Sequence, residues 1–81
     1  MKVLYFAWLR ERIGTGSEEV ETNASTVAEL VAELTSREDR YAAAFADMSA
    51  VRVAVDQTMT DIDASLTGAA EVAFFPPMTG G

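Results

Sequence analysis

The sequence predicts an α+β domain, with a mixed sheet carrying its helices on one face. Three observations lead there. Residues 3–8 and 71–75 are apolar stretches rich in β-branched and aromatic side chains, which favour strands. Val51, Val53 and Val55 alternate with Ala50, Arg52, Ala54 and Asp56, the period of a strand with one side buried. Val27, Leu30, Val31 and Leu34 recur at i, i+3, i+4 and i+7, the stripe of a helix packed on a core.

The elements follow in order. A first strand over 3–8 leads into residues 9–13, which have room for one helical turn, and Gly14-Thr15-Gly16 punctuates after it. Residues 18–22 are polar around Val20 and read as an exposed second strand. Thr26 and Glu29 have the spacing of a capping box and open a helix over 26–36. Tyr41, Phe45 and Met48 suggest a shorter helix over 38–47. The valine strand follows, then a turn at Gln57-Thr58 and a short return at Met59-Thr60. Thr67-Gly68 marks a further turn before the last strand, which Pro76-Pro77 stops because proline cannot donate to a ladder. The chain divides into a domain over 1–75 and a tail over 76–81.

Composition narrows the function. Eighty-one residues make one small domain, without room for two lobes around a cleft. With 49% hydrophobic and 23% charged residues the chain should fold. It has no cysteine, hence no disulfide framework, thiolate nucleophile or zinc knuckle. It has no histidine, the commonest general base and metal ligand. Six basic against thirteen acidic residues give −7, which argues against nucleic acid and anionic membranes as partners. The longest apolar run, 3–9, is too short to span a bilayer. It ends in Arg10-Glu11-Arg12 rather than the small residues of a signal-peptide cleavage site, so the protein reads as cytoplasmic. Asp56, Asp61 and Asp63 lack the spacing and glycine of a calcium loop and read as solvated turn residues. No metal site and no bound cofactor are expected.

Alternate residues of a strand face opposite sides. The first and last strands are apolar on both. Either they are central strands covered on both faces, or the second face is an exposed patch that marks a partner site. One good helix and one short one suffice to cover a single face, which favours the patch.

The tail, Pro76-Pro77-Met78-Thr79-Gly80-Gly81, is the most informative feature. A final Gly-Gly alone is an ordinary loose end. Here two prolines stiffen the exit, and no charged side chain follows Glu71. Six residues reach about 20 Å. The result is a narrow probe tipped with one sterically open carboxylate, suited to threading into another protein's active site. A carboxylate must be activated before it reacts, and Gly14-Thr15-Gly16 lacks the pattern of a phosphate-cradling loop. Activation must come from a partner.

Lys2-Val3-Leu4-Tyr5-Phe6-Ala7 with Arg10-Glu11, and above all the stretch from Glu71 through Phe74-Phe75-Pro76-Pro77 to Gly80-Gly81, resemble the MoaD/ThiS sulfur-carrier family, in its molybdopterin synthase small-subunit branch. Thr26-Val27 and Asp56-Gln57-Thr58 also fit. The resemblance covers essentially the whole chain and implies the ubiquitin-like β-grasp fold. It implies that an E1-like adenylyltransferase uses ATP to adenylate Gly81. Sulfur from a persulfide donor then replaces AMP, leaving a thiocarboxylate. It further implies that the tail enters the large molybdopterin synthase subunit of a heterotetramer, where the sulfur attacks cyclic pyranopterin monophosphate. By the same resemblance Phe6, Met59 and Phe75 form the apolar docking patch, joined by Arg10 and by Pro76, Pro77, Met78, Thr79 and Gly80 of the tail. The family's acidic turn before the last strand is here Thr67-Gly68-Ala69-Ala70-Glu71, with less charge. The competing readings are a ubiquitin-like modifier conjugated through Gly81, a carrier for another pathway such as thiamine, and an interaction domain with an inert tail. Phe74-Phe75-Pro76-Pro77 favours the molybdopterin branch over the thiamine one.

Overall fold

A computed structural model describes residues 1–77. Its elements are β1 (Lys2–Tyr5), α1 (Ala7–Ile13), β2 (Ser17–Glu19), α2 (Val27–Arg37), α3 (Asp39–Ala44), a 3-10 turn (Met48–Ala50), β3 (Arg52–Val55), β4 (Thr58–Thr60) and β5 (Glu71–Phe75). The described strands form one sheet in the order β2-β1-β5-β3-β4. The first and last strands run parallel side by side at its centre, and every other pairing is antiparallel. This is the mixed sheet of a ubiquitin-like β-grasp fold.

All the helices pack on one face. Val3, Tyr5, Val53, Val72 and Phe74 point from the sheet into a core completed by Leu9 and Ile13 of α1, Val27, Leu30 and Leu34 of α2, and Tyr41 and Ala44 of α3. Phe45 meets Phe74 edge-on at 5.0 Å between ring centroids, and Tyr5 stacks on Phe74 at 6.1 Å. The capping residues of α2 act as the spacing predicts. Thr26 Oγ1 accepts from the Glu29 N–H (3.2 Å), and its hydroxyl donates to the Glu29 carboxylate (3.3 Å).

The structure corrects several expectations. The first strand stops at Tyr5, and α1 takes residues 7–13. An apolar run cannot by itself distinguish strand from buried helix, and a local backbone feature decides. Phe6 is still extended, but Ala7 adopts φ 54°, which swings the chain out of the sheet. The helix then buries Leu9 and Ile13, one turn apart, and Gly14 closes it in the left-handed region (φ 95°) by donating its N–H to the Arg10 carbonyl (2.8 Å). The second strand lies at 17–19 rather than 18–22, and Val20, on the same side as Glu18, is buried in the core rather than exposed. The helix expected over 38–47 ends at Ala44, with Met48 in a separate 3-10 turn. The turn between β3 and β4 is Asp56-Gln57, one residue earlier than Gln57-Thr58. Both have positive φ (49° and 70°), as a type I′ hairpin requires, and Asp56 Oδ1 accepts the N–H groups of Ala70 and Glu71 (2.9 and 3.0 Å).

Candidate functional site

The face of the sheet turned away from the helices is uncovered by any other described element, so its strands are not covered on both sides. Its residues follow from the register. At one end Glu19, Lys2 and Glu71 form a polar row across β2, β1 and β5. In the middle Leu4, Ala73, Ala54 and Met59 lie side by side across β1, β5, β3 and β4. At the far end Arg52 pairs with Phe75. Phe6 extends the ladder by one step, donating its N–H to the Phe74 carbonyl (3.1 Å), and so lies on the same face next to Phe75.

The middle row forms a shallow trough. Ala54 and Ala73 are 8% and 9% exposed, yet they lie outside the helix-side core, flanked by larger neighbours. Met59 on the sheet edge is 66% exposed and Phe6 is 48% exposed, while Phe75 is half-buried between them. Large apolar groups left in water around a flat apolar floor are what a docking surface presents. The tail leaves from the same place: Phe75 is the last residue of β5, and Pro76 and Pro77 follow it.

Of the expected site residues, Phe6 and Phe75 are thus adjacent, and Met59 lies on the same face in the next row. Arg10 is exposed on α1, with its side chain against Gly16, and lines a hollow with Ala7, Trp8 and Glu11. Met78, Thr79, Gly80 and Gly81 lie outside the described residues. Sequence reasoning left out Leu4, Ala54, Ala73 and Arg52. Their signal was available, since each alternates with a buried neighbour in β1, β3 or β5.

A polar network on the helix side holds this platform from behind. Glu18 Oε2 accepts the hydroxyls of Tyr5 (2.7 Å) and Tyr41 (2.6 Å), which joins β1, β2 and α3. Arg40 donates from Nη2 to the Tyr41 hydroxyl (3.0 Å) and from Nη1 to the Ile13 carbonyl (2.8 Å). Burial, reinforced by the Glu18 carboxylate, pushes the Tyr41 phenol up to about 12, and the same causes raise Tyr5 further. Among the described residues no group of three or more aspartates and glutamates is arranged to hold a metal ion. No described helix is long and apolar enough to cross a membrane.

The sheet order, the one-sided helical layer and the open face define a ubiquitin-like β-grasp protein. The fold matches the crystal structure of SAMP1 from Haloferax volcanii, with a TM-score of 0.77 at 21% identity, over 100% of this chain and 98% of that one. The chain belongs to the ThiS family, which it matches over residues 3–81. It is 44% identical to the molybdopterin synthase sulfur carrier subunit of Escherichia coli (strain K12), over 100% of this chain and 99% of the relative. It is 33% identical to the protein of the same name from Haemophilus influenzae, with the same coverage.

Proposed function

We propose that this chain is the sulfur-carrier small subunit of a molybdopterin synthase. An E1-like adenylyltransferase joins AMP from ATP to the Gly81 carboxylate. The outer sulfur of a persulfide donor displaces AMP to form an acyl disulfide, and a second thiol cleaves its S–S bond, ending as a disulfide with the donor and leaving the thiocarboxylate. The tail then enters the large subunit, where the sulfur is delivered to cyclic pyranopterin monophosphate. The chain supplies the sulfur and the docking surface, and the large subunit supplies the catalytic residues. Assembly into a heterotetramer in the cytoplasm belongs to the same reading.

The observation that carries this reading is the meeting of the open apolar face with the root of the tail at Phe75. A partner seated on Phe6, Phe75 and Met59 lies beside the point where the chain leaves the sheet. The division into a domain over 1–75 and a tail over 76–81 belongs to the same reading. The relatives' shared name favours this reading over a protein modifier or a thiamine-pathway carrier.

The test is the intact mass of the chain after incubation with ATP, the adenylyltransferase and a sulfur donor. The expected result is replacement of one oxygen by sulfur, localised to Gly81. An unchanged mass, with the same enzymes active on another carrier, refutes the reading.

A further inference from the structure

Arg52 stands out on the open face. It alternates with the buried Val51 and Val53, so its side chain leaves the sheet on the uncovered side. Its Cα partner is Phe75, the residue from which the tail departs. Cross-strand neighbours of this kind lie about 5 Å apart. Any partner that closes around the tail therefore meets Arg52 at the mouth of its channel.

The guanidinium is positioned but not neutralised. Nη1 donates to the carbonyls of Ser49 (3.0 Å) and Val51 (3.2 Å). Among the described residues its other nitrogens have no hydrogen-bond partner, and the ion pairs lie elsewhere, at Met1–Glu19, Arg37–Glu33 and Arg40–Glu38. Asp61 and Asp63 line a hollow with Arg52, beside Val51 and Val53, without pairing with it. Docking on Phe6 and Phe75 strips water from this cation, and an unpaired charge taken out of water opposes binding. A carboxylate offered to the free edge of the guanidinium reverses that penalty through charge-assisted hydrogen bonds. The overall charge of −7 favours a cationic partner surface at long range, so an acidic residue at this one point fixes the register of docking.

We propose that Arg52 is a specificity determinant, and that the large subunit presents an aspartate or glutamate at the rim of its tail channel to pair with it. This inference rests on the carrier reading above.

The test measures the dissociation constant of the full-length chain for the large subunit by calorimetry. Wild type, Arg52→Lys, Arg52→Leu and Arg52→Glu are compared at two salt concentrations, with the melting temperature of each as the folding control. The expected result is weakening of about 30-fold for Arg52→Leu and more than about 100-fold for Arg52→Glu, with Arg52→Lys in between wild type and Arg52→Leu. Reversal of a rim carboxylate to lysine in the large subunit restores Arg52→Glu. Wild type that fails to bind the large subunit refutes the carrier reading. Wild type that binds, with Arg52→Glu within about threefold of it, refutes the role of Arg52 alone. Tighter binding by Arg52→Leu also overturns the proposal, and points to a pair between Arg52 and the chain's own terminal carboxylate.

Discussion

Replacing Glu18 with alanine removes one carboxylate and leaves two buried phenols without an acceptor. Tyr5 and Tyr41 both donate to Glu18 Oε2, at 2.7 and 2.6 Å, and both are almost wholly buried. A hydrogen bond to a charged group contributes about 1.5–3 kcal/mol, and an orphaned buried donor costs a similar amount. Glu18 itself is half-buried, so water recovers part of the loss. A destabilisation of about 2–3 kcal/mol is expected for Glu18→Ala. In a domain of this size each kcal/mol lowers the melting temperature by about 4–8 °C, so the drop should be about 8–24 °C. Glu18→Gln keeps one acceptor oxygen and should lose about half as much. Glu19→Ala is the control: its side chain is 78% exposed and reaches only the N-terminal amine at 3.5 Å, so stability should move by less than about 0.5 kcal/mol. Thermal and urea unfolding followed by circular dichroism measure all three. If Glu18→Ala melts within about 4 °C of wild type, or no lower than Glu19→Ala, the network does not clamp β1, β2 and α3 as argued.

The raised phenol of Tyr41 is a proton held more tightly by the native state than by the unfolded chain, which loses it near 10. Stability is therefore complete below pH 10 and falls between pH 10 and 12 by about 1.4 kcal/mol per pH unit, more with Tyr5 included; urea midpoints at pH 9 and 11 that coincide would contradict it. Gln57→Gly relieves a positive φ and should stabilise the chain by about 0.5 kcal/mol, whereas Asp56→Ala strands the Ala70 and Glu71 N–H groups and should destabilise it by about 1–2 kcal/mol, both read from unfolding midpoints. Met59→Asp should leave the melting temperature unchanged, because the side chain is mostly exposed, while weakening binding to the large subunit about 10- to 100-fold; calorimetry with unchanged affinity would remove Met59 from the docking patch.

Elements with long or doubled signals were legible in the sequence. The stripe of Val27, Leu30 and Leu34 behind the Thr26 cap placed α2 to within a residue at each end. The alternation around Val53 placed β3, and the β-branched and aromatic stretch stopped by Pro76 placed β5. The second face is open as read, although the count of one helix and a short one missed α1; all three described helices pack on the same side of the sheet. What escaped was set by single backbone angles. Nothing in Phe6-Ala7-Trp8 says that Ala7 takes a positive φ, although Leu9, Ile13 and the closing Gly14 together describe the helix that follows. The hairpin turn slipped by one residue because Asp56-Gln57 is not the Asn-Gly pair that advertises a type I′ turn, and its anchor is a hydrogen bond to a segment fourteen residues away. For the site, the named aromatic and methionine residues came from a resemblance. Their adjacency, and the arrival of Arg52 beside Phe75, depend on a register that no local pattern encodes.

The fold and the face together describe a platform. Helices stiffen one side of the sheet, no other described element covers the other side, and the last strand ends at Phe75, where the tail begins. In the proposed function the tail delivers sulfur. This is tested most directly by mixing the chain, converted to its Gly81 thiocarboxylate, with the large subunit and cyclic pyranopterin monophosphate, and following molybdopterin and the carrier's mass together. The account predicts that product forms in step with return of the carrier to its carboxylate mass, and that a residue appended after Gly81, which prevents the thiocarboxylate from forming, abolishes it. Product formed without consumption of the thiocarboxylate, or a thiocarboxylate that persists beside an active large subunit, would contradict it.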